Sequence, residues 1–177
     1  RNGVLIKTGE ALEAMARADT LAIDKTGTLT FGQPTVTTVH VDSANLDEDA
    51  LLTLAASVET SSEHHLGRAV VAQAAAQGLL LEIPTDVEVV SGRGIAAHVG
   101  PRRVDIGYYD YLGTEGTAIG AGPLRTVQTL EEAGQTVLLV AVDGLYVGFI
   151  AISDPIRPEP ATSIDHLKKS GLRNVVL

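Results

Sequence analysis

The chain has 177 residues, which suffice for one large domain or two small ones. Its formal net charge of -9 argues against nucleic acid as a partner, because binding a phosphate backbone requires a basic face. The absence of cysteine excludes disulfides, thiolate metal sites and a cysteine nucleophile. The longest apolar stretches, at 137–142 and 145–152, are far shorter than the roughly 20 residues that span a bilayer.

Hydrophobic periodicity and turn residues predict a series of helices and strands. The first segment contains a helix over 10–18 and a strand over 21–23 that ends at Asp24, and a break follows at 31–34. The last segment contains a helix over 158–169 and an apolar strand over 173–177. Between them, the pattern predicts strands at 35–41, 87–90, 95–99, 103–106, 136–142 and 145–152. It also predicts helices at 46–57, 66–77 and 124–133, with a helical turn at 108–112 and a loop at 113–122.

Asp24 follows its strand at the edge of the sheet where open α/β proteins place ligands. A carboxylate held there can attack phosphorus and form an acyl phosphate. Lys25, the backbone amides of the Thr26-Gly27-Thr28 turn and the Thr28 hydroxyl are suitable donors to phosphoryl oxygens. We therefore expect a catalytic group of Asp24, Lys25, Thr26 and Thr28, with a partial Mg²⁺ site at Asp24 and Thr26.

The seven residues from Asp24 to Thr30 read DKTGTLT and resemble the phosphorylation signature of P-type ATPases, ion pumps with a haloacid-dehalogenase catalytic fold. Residues 3–13 and the segment Asp154-Pro155-Ile156-Arg157 are also similar to that family, so the resemblance covers nearly the whole chain. It implies an α/β fold in which an antiparallel sheet with flanking helices, the nucleotide-binding domain, is inserted in a partial Rossmann-like phosphorylation domain. The expected boundaries are 1–32 and 151–177 for the phosphorylation domain and 33–150 for the insertion.

A second group of residues is similar to the heavy-metal, or type IB, branch of these pumps. In that branch, the segment around Glu59 and His64 recognises adenine, which implies a hydrogen bond from the adenine amino group to Glu59 and packing of His64 on the ring. By the same resemblance, Gly92, Gly94 and Gly107 let ATP approach the backbone. Taken alone, glycines at such turns are as readily explained by the turns themselves.

The chain departs from the family pattern at two positions. His65 stands where the family has proline, and Tyr108 stands where it has asparagine, so both predict altered nucleotide binding. The two phenylalanines, Phe31 and Phe149, lie near the expected hinges, which favours adenine recognition through His64 rather than through a phenylalanine.

The resemblance implies that Asp154 and Arg157 support the Asp24 loop, although a structural ion pair is the alternative. The sequence ends before the aspartate-rich segments that hold Mg²⁺ in relatives, so we expect the fragment to bind nucleotide without full turnover.

The favoured function is the ATP-binding part of a heavy-metal-transporting P-type ATPase, with ATP and Mg²⁺ as cofactors. Its partners would be the remaining phosphorylation, actuator and transmembrane domains, with the transported cation bound elsewhere. The expected location is the cytoplasmic face of a membrane pump, with the fragment itself soluble. The alternatives are a non-catalytic nucleotide-sensing or interaction module and a phosphatase of the haloacid-dehalogenase fold. Thr26 disfavours the phosphatase, because those enzymes usually carry an acid/base aspartate at that position.

Overall fold

The computed structural model describes residues 5–176, except the side chains of Lys25 and Thr26. The described chain forms two compact units. One contains the residues up to Gly32 and those from Ile156 onward, and the other is Gln33–Pro155.

Six helices and eight strands are found among the described residues. The helices are α1 Gly9–Ala16, α2 Glu48–Glu59, α3 His65–Ala76, α4 Tyr109–Thr114, α5 Ala121–Glu132 and α6 Glu159–Lys169. The strands are β1 Thr20–Ala22, β2 Thr35–Val41, β3 Thr85–Val90, β4 Gly94–Val99, β5 Arg102–Gly107, β6 Thr136–Val142, β7 Leu145–Ser153 and β8 Asn174–Val176.

In the first unit, the N- and C-terminal segments pair as parallel strands. Strand β1 lies beside β8 with Leu21 opposite Val175, and the Ile23 amide extends the ladder by donating to the Val176 carbonyl at 2.9 Å. Asp24 follows this ladder directly, and a π-helical turn, Lys25–Leu29, comes next. Pairing between distant segments therefore fixes where the chain presents Asp24.

The second unit is built on a six-stranded antiparallel sheet with strand order β2-β7-β6-β5-β4-β3. Its central hairpin joins β6 to β7 through Asp143 and Gly144, whose φ angles of 52° and 77° suit a tight two-residue turn. Asp143 also accepts a hydrogen bond from the Arg103 amide at 2.9 Å through its side chain. The hairpin is thereby tied to the start of β5.

Helices cover both faces of this sheet, because most residues of the inner strands alternate between two apolar clusters. Helices α2 and α3 pack on one face, and α4 and α5 pack on the other. On β6, for example, Leu138, Val140 and Val142 belong to the first cluster, while Val137, Leu139 and Ala141 belong to the second. Both faces of the central strands are buried, which explains their near-continuous apolar sequence.

The structure confirms the mixed α/β class and the antiparallel sheet with flanking helices. Differences from the predicted elements lie at element ends. Strand β7 continues to Ser153, opposite Thr35 of β2, so residues 151–155 belong to the unit that was expected to end at 150. Helix α5 begins at Ala121, within the segment predicted as a loop. Over the described residues, no helix has the length and apolarity needed to cross a membrane.

Candidate functional site

The second unit contains a cavity of about 540 Å³ that is lined by the connection between α2 and α3, the turn between β3 and β4, and the end of β5. Its apolar floor consists of Leu66, Ile95, Ile106 and Leu138. The five residues that the sequence assigned to nucleotide binding all line it: Glu59, His64, Gly92, Gly94 and Gly107. Residues up to 48 positions apart in the chain thus meet around one cavity.

Glu59 is the last residue of α2 and is only 5% exposed. Among the described residues, none provides a hydrogen-bond partner for its Oε2 atom. Burial raises the pKa of this carboxyl, and a hydrogen bond from the Ser62 side chain partly offsets the rise. Gly67 makes room for the carboxylate, because a Cβ atom at that position would collide with Oε2. The protein therefore carries a desolvated acceptor with unused hydrogen-bonding capacity at the cavity wall.

His64 is the N-cap residue of α3, and its Nδ1 atom accepts a hydrogen bond from the Leu66 amide at 3.3 Å. Because Nδ1 accepts, the neutral ring carries its proton on Nε2. Burial lowers the pKa of His64, and the positive charges of His65 and Arg68 lower it further. The side chain is therefore held neutral and oriented by the helix that it caps.

His65, the residue in place of the family's proline, is the first residue of α3. Its ring lies against that of His64, with the ring centroids 4.3 Å apart. The rigid backbone of a proline is absent, yet His64 is restrained by the cap and by this ring contact. The substitution therefore leaves a defined orientation for the first imidazole.

Packing alone explains two of the three glycines that line the cavity. Gly94 and Gly107 lie opposite each other on β4 and β5. A Cβ atom on Gly94 would collide with the Tyr111 ring, and one on Gly107 would lie 2.5 Å from the Arg93 carbonyl oxygen. Gly92 differs, since its φ of 71° favours glycine although its Cβ position is open.

Two longer side chains also line the cavity beside these glycines. Tyr108 donates its amide hydrogen to the Arg93 carbonyl at 3.1 Å, and the residue is 38% exposed. Burial raises the pKa of Tyr108, and the charge of Glu131 raises it further, so the phenol stays protonated near neutral pH. Arg93 donates from Nη2 to the Asp110 carbonyl at 3.2 Å.

The cavity suits a flat heterocycle that carries an exocyclic amine. An apolar floor and an imidazole offer contact to the faces of a ring, and the buried carboxylate can accept hydrogen bonds from the amine. A concave, largely apolar site with a few converging polar groups is typical of small-molecule binding.

In the first unit, a second cavity of about 720 Å³ lies beside Asp24. Thr28, Leu29 and Arg157 also line it. The side chains of Lys25 and Thr26 fall outside the described part of the structure. The described residues hold no group of three His, Cys, Asp or Glu side chains that could bind a metal ion.

Arg157 holds the segment that follows Asp24. Its amide donates to the Leu29 carbonyl and its Nε atom to the Thr30 carbonyl, both at 2.8 Å. Its guanidinium carbon lies 5.0 Å from the centre of the Phe31 ring, which adds a cation–π contact. Within the same segment, the Gly27 amide donates to the Thr30 hydroxyl at 3.0 Å. Asp154, by contrast, accepts from the Gln33 amide at 3.2 Å within the other unit.

Sequence reasoning misplaced one aromatic residue. Phe149 lies in β7 and is 1% exposed, in the cluster beneath α4 and α5 rather than near a hinge. Its position therefore gives no argument for His64. Gly67 and Arg93 were not predicted as site residues, and of the two only Arg93 carries a signal in the sequence, as a cation flanked by two glycines.

The fold and the site define an α/β protein with a small-molecule cavity in one unit and a strand-end carboxylate in the other. The family model described as "Hydrolase: haloacid dehalogenase-like hydrolase" matches residues 18–177. The chain therefore belongs to the haloacid dehalogenase-like hydrolase family.

Similar proteins of this family are heavy-metal P-type ATPases. The chain is 39% identical to a silver exporting P-type ATPase of Salmonella typhimurium, an alignment that covers 99% of this chain and 21% of that protein. It is 37% identical to a copper-exporting P-type ATPase of Bacillus subtilis (strain 168), with 99% of this chain and 22% of that protein covered. The chain thus spans about a fifth of the length of these relatives.

Solved structures with the same fold include a zinc-transporting PIB-type ATPase in its E2.Pi state. That structure matches with a TM-score of 0.77 and 38% identity, over 99% of this chain and 28% of the other. The catalytic domain of the CPx-ATPase CopB-B, from a study of conformational changes upon nucleotide binding, matches with a TM-score of 0.70 and 26% identity. That alignment covers 97% of this chain and 58% of the other.

The substitution Glu59→Gln is expected to stabilise the nucleotide-free protein at pH 7.5 by about 1–3 kcal/mol, because it removes a buried charge that lacks full compensation. The folded-state pKa is raised above 4.5, so the wild-type protein loses stability as pH rises from 4.5 through the folded-state pKa. The gain should accordingly be absent below pH 4.5 and grow above it. Urea unfolding at several pH values measures this difference.

The matched control is Glu63→Gln, which removes the same charge from an exposed side chain of the same segment. It should leave the unfolding curve close to that of the wild-type protein. If the free energy of unfolding of Glu59→Gln differs from that of the wild type by the same amount at every pH, the Glu59 carboxylate is not an uncompensated buried charge.

The substitution Gly107→Ala should destabilise the second unit by about 2 kcal/mol, because the added Cβ would crowd the backbone of Arg93 and Gly94. Gly113→Ala is the control, since nothing lies within 4 Å of its Cβ position and it lies within α4. That variant should be unchanged or slightly more stable. Thermal unfolding compares the two, and equal losses would mean that crowding does not explain Gly107.

Proposed function

We propose that the chain is the nucleotide-binding domain and part of the phosphorylation domain of a heavy-metal P-type ATPase. In this proposal, ATP binds in the cavity of the second unit and phosphorylates Asp24, and the phosphorylation cycle drives metal transport in a longer pump. The names of the relatives support the class of pump. The transported ion, the actuator domain and the transmembrane domain belong to the parent pump.

One observation carries the nucleotide-binding part of the proposal. Glu59 and His64 from the α2–α3 connection and three glycines from the strands line a single cavity. The buried Oε2 atom of Glu59 lacks a partner among the described residues. It can accept a hydrogen bond from the exocyclic amine of adenine. Binding of adenine would thus compensate a desolvation cost that the empty protein already carries.

The adenine ring would pack against the imidazole of His64. The N-cap bond from the Leu66 amide fixes the ring before the ligand arrives, so little conformational entropy is lost on binding. The lowered pKa keeps the imidazole neutral at physiological pH. A neutral ring avoids the cost of desolvating a cation under the base.

Asp24 is the proposed phosphate acceptor, with Thr28 as a donor to the phosphoryl group. The arrangement that supports it is a carboxylate at a strand end beside a cavity, followed by a turn that Arg157 holds by two backbone carbonyls. The roles of Lys25 and Thr26 rest on the sequence alone, since their side chains lie outside the described part of the structure. Asp24 would supply one hard oxygen ligand for Mg²⁺, an ion that takes its other ligands from phosphate and water in many nucleotide enzymes.

Amide NMR of the isotope-labelled chain during ATP titration tests the cavity. Saturable shifts are expected around Glu59, His64 and Gly92, and His64→Ala should weaken binding about tenfold because ring packing is lost. The matched control is His166→Ala, which removes an imidazole from α6 in the other unit and should leave the affinity unchanged. Shifts that lie outside the cavity, or that persist unchanged in His64→Ala, would refute the site.

Phosphorylation of Asp24 is tested in a parent pump that carries this chain. Incubation with ATP should produce an acid-stable, hydroxylamine-sensitive label, and Asp24→Asn should abolish it because an amide is not a nucleophile toward phosphorus. Asp19→Asn serves as the control, since Asp19 precedes the same strand and accepts from the Thr20 hydroxyl at 2.9 Å. Label that survives in Asp24→Asn would place the acceptor elsewhere.

A further inference from the structure

The charges around the nucleotide cavity are unbalanced for a ligand that carries phosphates. Two carboxylates, Glu59 and Glu63, line it, and the protein as a whole has a formal net charge of -9. The lowered pKa of His64 removes that imidazole as a cation near neutral pH. Of the described side chains that line the cavity, the guanidinium of Arg93 alone carries a permanent positive charge.

Arg93 lies on a different wall from the adenine-binding pair. It occupies the turn between β3 and β4, flanked by Gly92 and Gly94, whereas Glu59 and His64 lie at the α2–α3 connection. A nucleotide with its base at the connection would extend its phosphates toward this turn. The turn has two glycines, so its backbone can approach the phosphates closely.

The backbone and side chain of Arg93 are both anchored. Its carbonyl oxygen accepts from the Tyr108 amide at 3.1 Å, and its Nη2 atom donates to the Asp110 carbonyl at 3.2 Å. A guanidinium has five N–H donors, so one hydrogen bond to a carbonyl leaves most of the fork for other acceptors. An anchored guanidinium with free donors is well suited to phosphate oxygens, which it can bind in a bidentate manner.

We propose that Arg93 is the residue that binds the phosphate chain of the nucleotide and sets the preference of this site for ATP over adenosine. This inference rests on the proposed nucleotide function of the cavity. Glu59 and His64 recognise the base and are indifferent to the number of phosphates. Arg93 contributes only when phosphates are present, and its contribution falls as added salt screens the charge.

The competing explanation is purely structural, in which Arg93 serves only to tie the β3–β4 turn to α4 through the Asp110 carbonyl. The two roles predict different ligand dependence. A structural role would alter the affinity for adenosine and ATP alike, because both need the same cavity. A phosphate-binding role would alter the affinity for ATP and leave that for adenosine unchanged.

The experiment measures the affinities of adenosine, AMP, ADP and ATP for the chain by calorimetry in EDTA, which keeps divalent cations from masking the phosphates. For Arg93→Gln, we expect about a tenfold loss for ATP and less than a twofold change for adenosine. Arg93→Lys should restore part of the ATP affinity, since the charge returns without the bidentate fork. Raising the salt concentration should reduce the ATP preference of the wild type more than that of Arg93→Gln.

Arg68→Gln is the matched control. Arg68 donates to the Glu63 carbonyl at 3.1 Å near the same cavity but does not line it, and its removal changes the net charge by the same amount. It should leave the ratio of ATP to adenosine affinity close to that of the wild type.

The outcomes separate this inference from the function on which it rests. If adenosine and ATP bind at the Glu59–His64 cavity but Arg93→Gln weakens both equally, Arg93 is structural and the nucleotide site stands. If Arg68→Gln reduces the ATP preference as much as Arg93→Gln, the effect is one of overall charge and the assignment of Arg93 is overturned. If neither ligand binds, the proposed function itself fails, and Arg93 has no nucleotide to select.

Discussion

The burial of helix α2 against the sheet is the constraint on which the candidate site depends. Leu51, Leu52 and Val58 are at most 1% exposed, and burial of each such side chain stabilises the fold by about 1.5–3 kcal/mol. The same packing carries Glu59, at the C-terminal end of the helix, into a position that is only 5% exposed. An incompletely paired buried polar group costs about 1–3 kcal/mol, so the apolar contacts of a single leucine are comparable to that cost. The fold can therefore hold in place a desolvated carboxylate whose Oε2 atom has no hydrogen-bond partner among the described residues.

A carboxylate held in this way is ready for a ligand, because its desolvation has already occurred when the protein folds. Gly67 on α3 completes the arrangement, since any larger residue there would displace the Oε2 atom. An alanine would ordinarily be the better helix former at such a position by about 1 kcal/mol. Both Glu59 and Gly67 thus lower the stability of the fold. Neighbouring residues that each lower stability are expected at a functional site.

The sequence predicted the element order and most of the sheet because the physical signals are local. Asp143-Gly144 between two apolar runs predicts a tight hairpin, and both residues have the positive φ angles that such a turn needs. Element ends were less predictable, because hydrogen bonding to a neighbouring strand decides them rather than the intrinsic propensity of the residues. Strand β7, for example, extends to Ser153 because Thr35 of β2 lies opposite it. The burial of Phe149 was missed for a related reason. The sequence around Phe149 carries no local sign that α4 and α5 cover this part of β7.

The candidate site divides in the same way. Glu59, His64 and the glycines could be assigned from a family resemblance, but the resemblance gives positions and not causes. Gly94 and Gly107 illustrate the difference, because the Tyr111 ring and the Arg93 carbonyl already exclude a side chain there without any ligand. Packing therefore requires glycine at these two positions whether or not a ligand approaches, and measurements of binding and of stability on the same variants separate the two contributions.

The environment of His64 shows how a departure from the family pattern can be tolerated. A proline at the first position of α3 would fix the backbone that precedes the helix. His65 lacks that restraint, but the bond from the Leu66 amide to Nδ1 of His64 and the contact between the two imidazole rings provide others. Both restraints favour a neutral His64, since protonation would remove the acceptor and place a further positive charge beside His65 and Arg68. The orientation that a proline would impose through covalent geometry is thus maintained here by a hydrogen bond that exists only while the imidazole is uncharged.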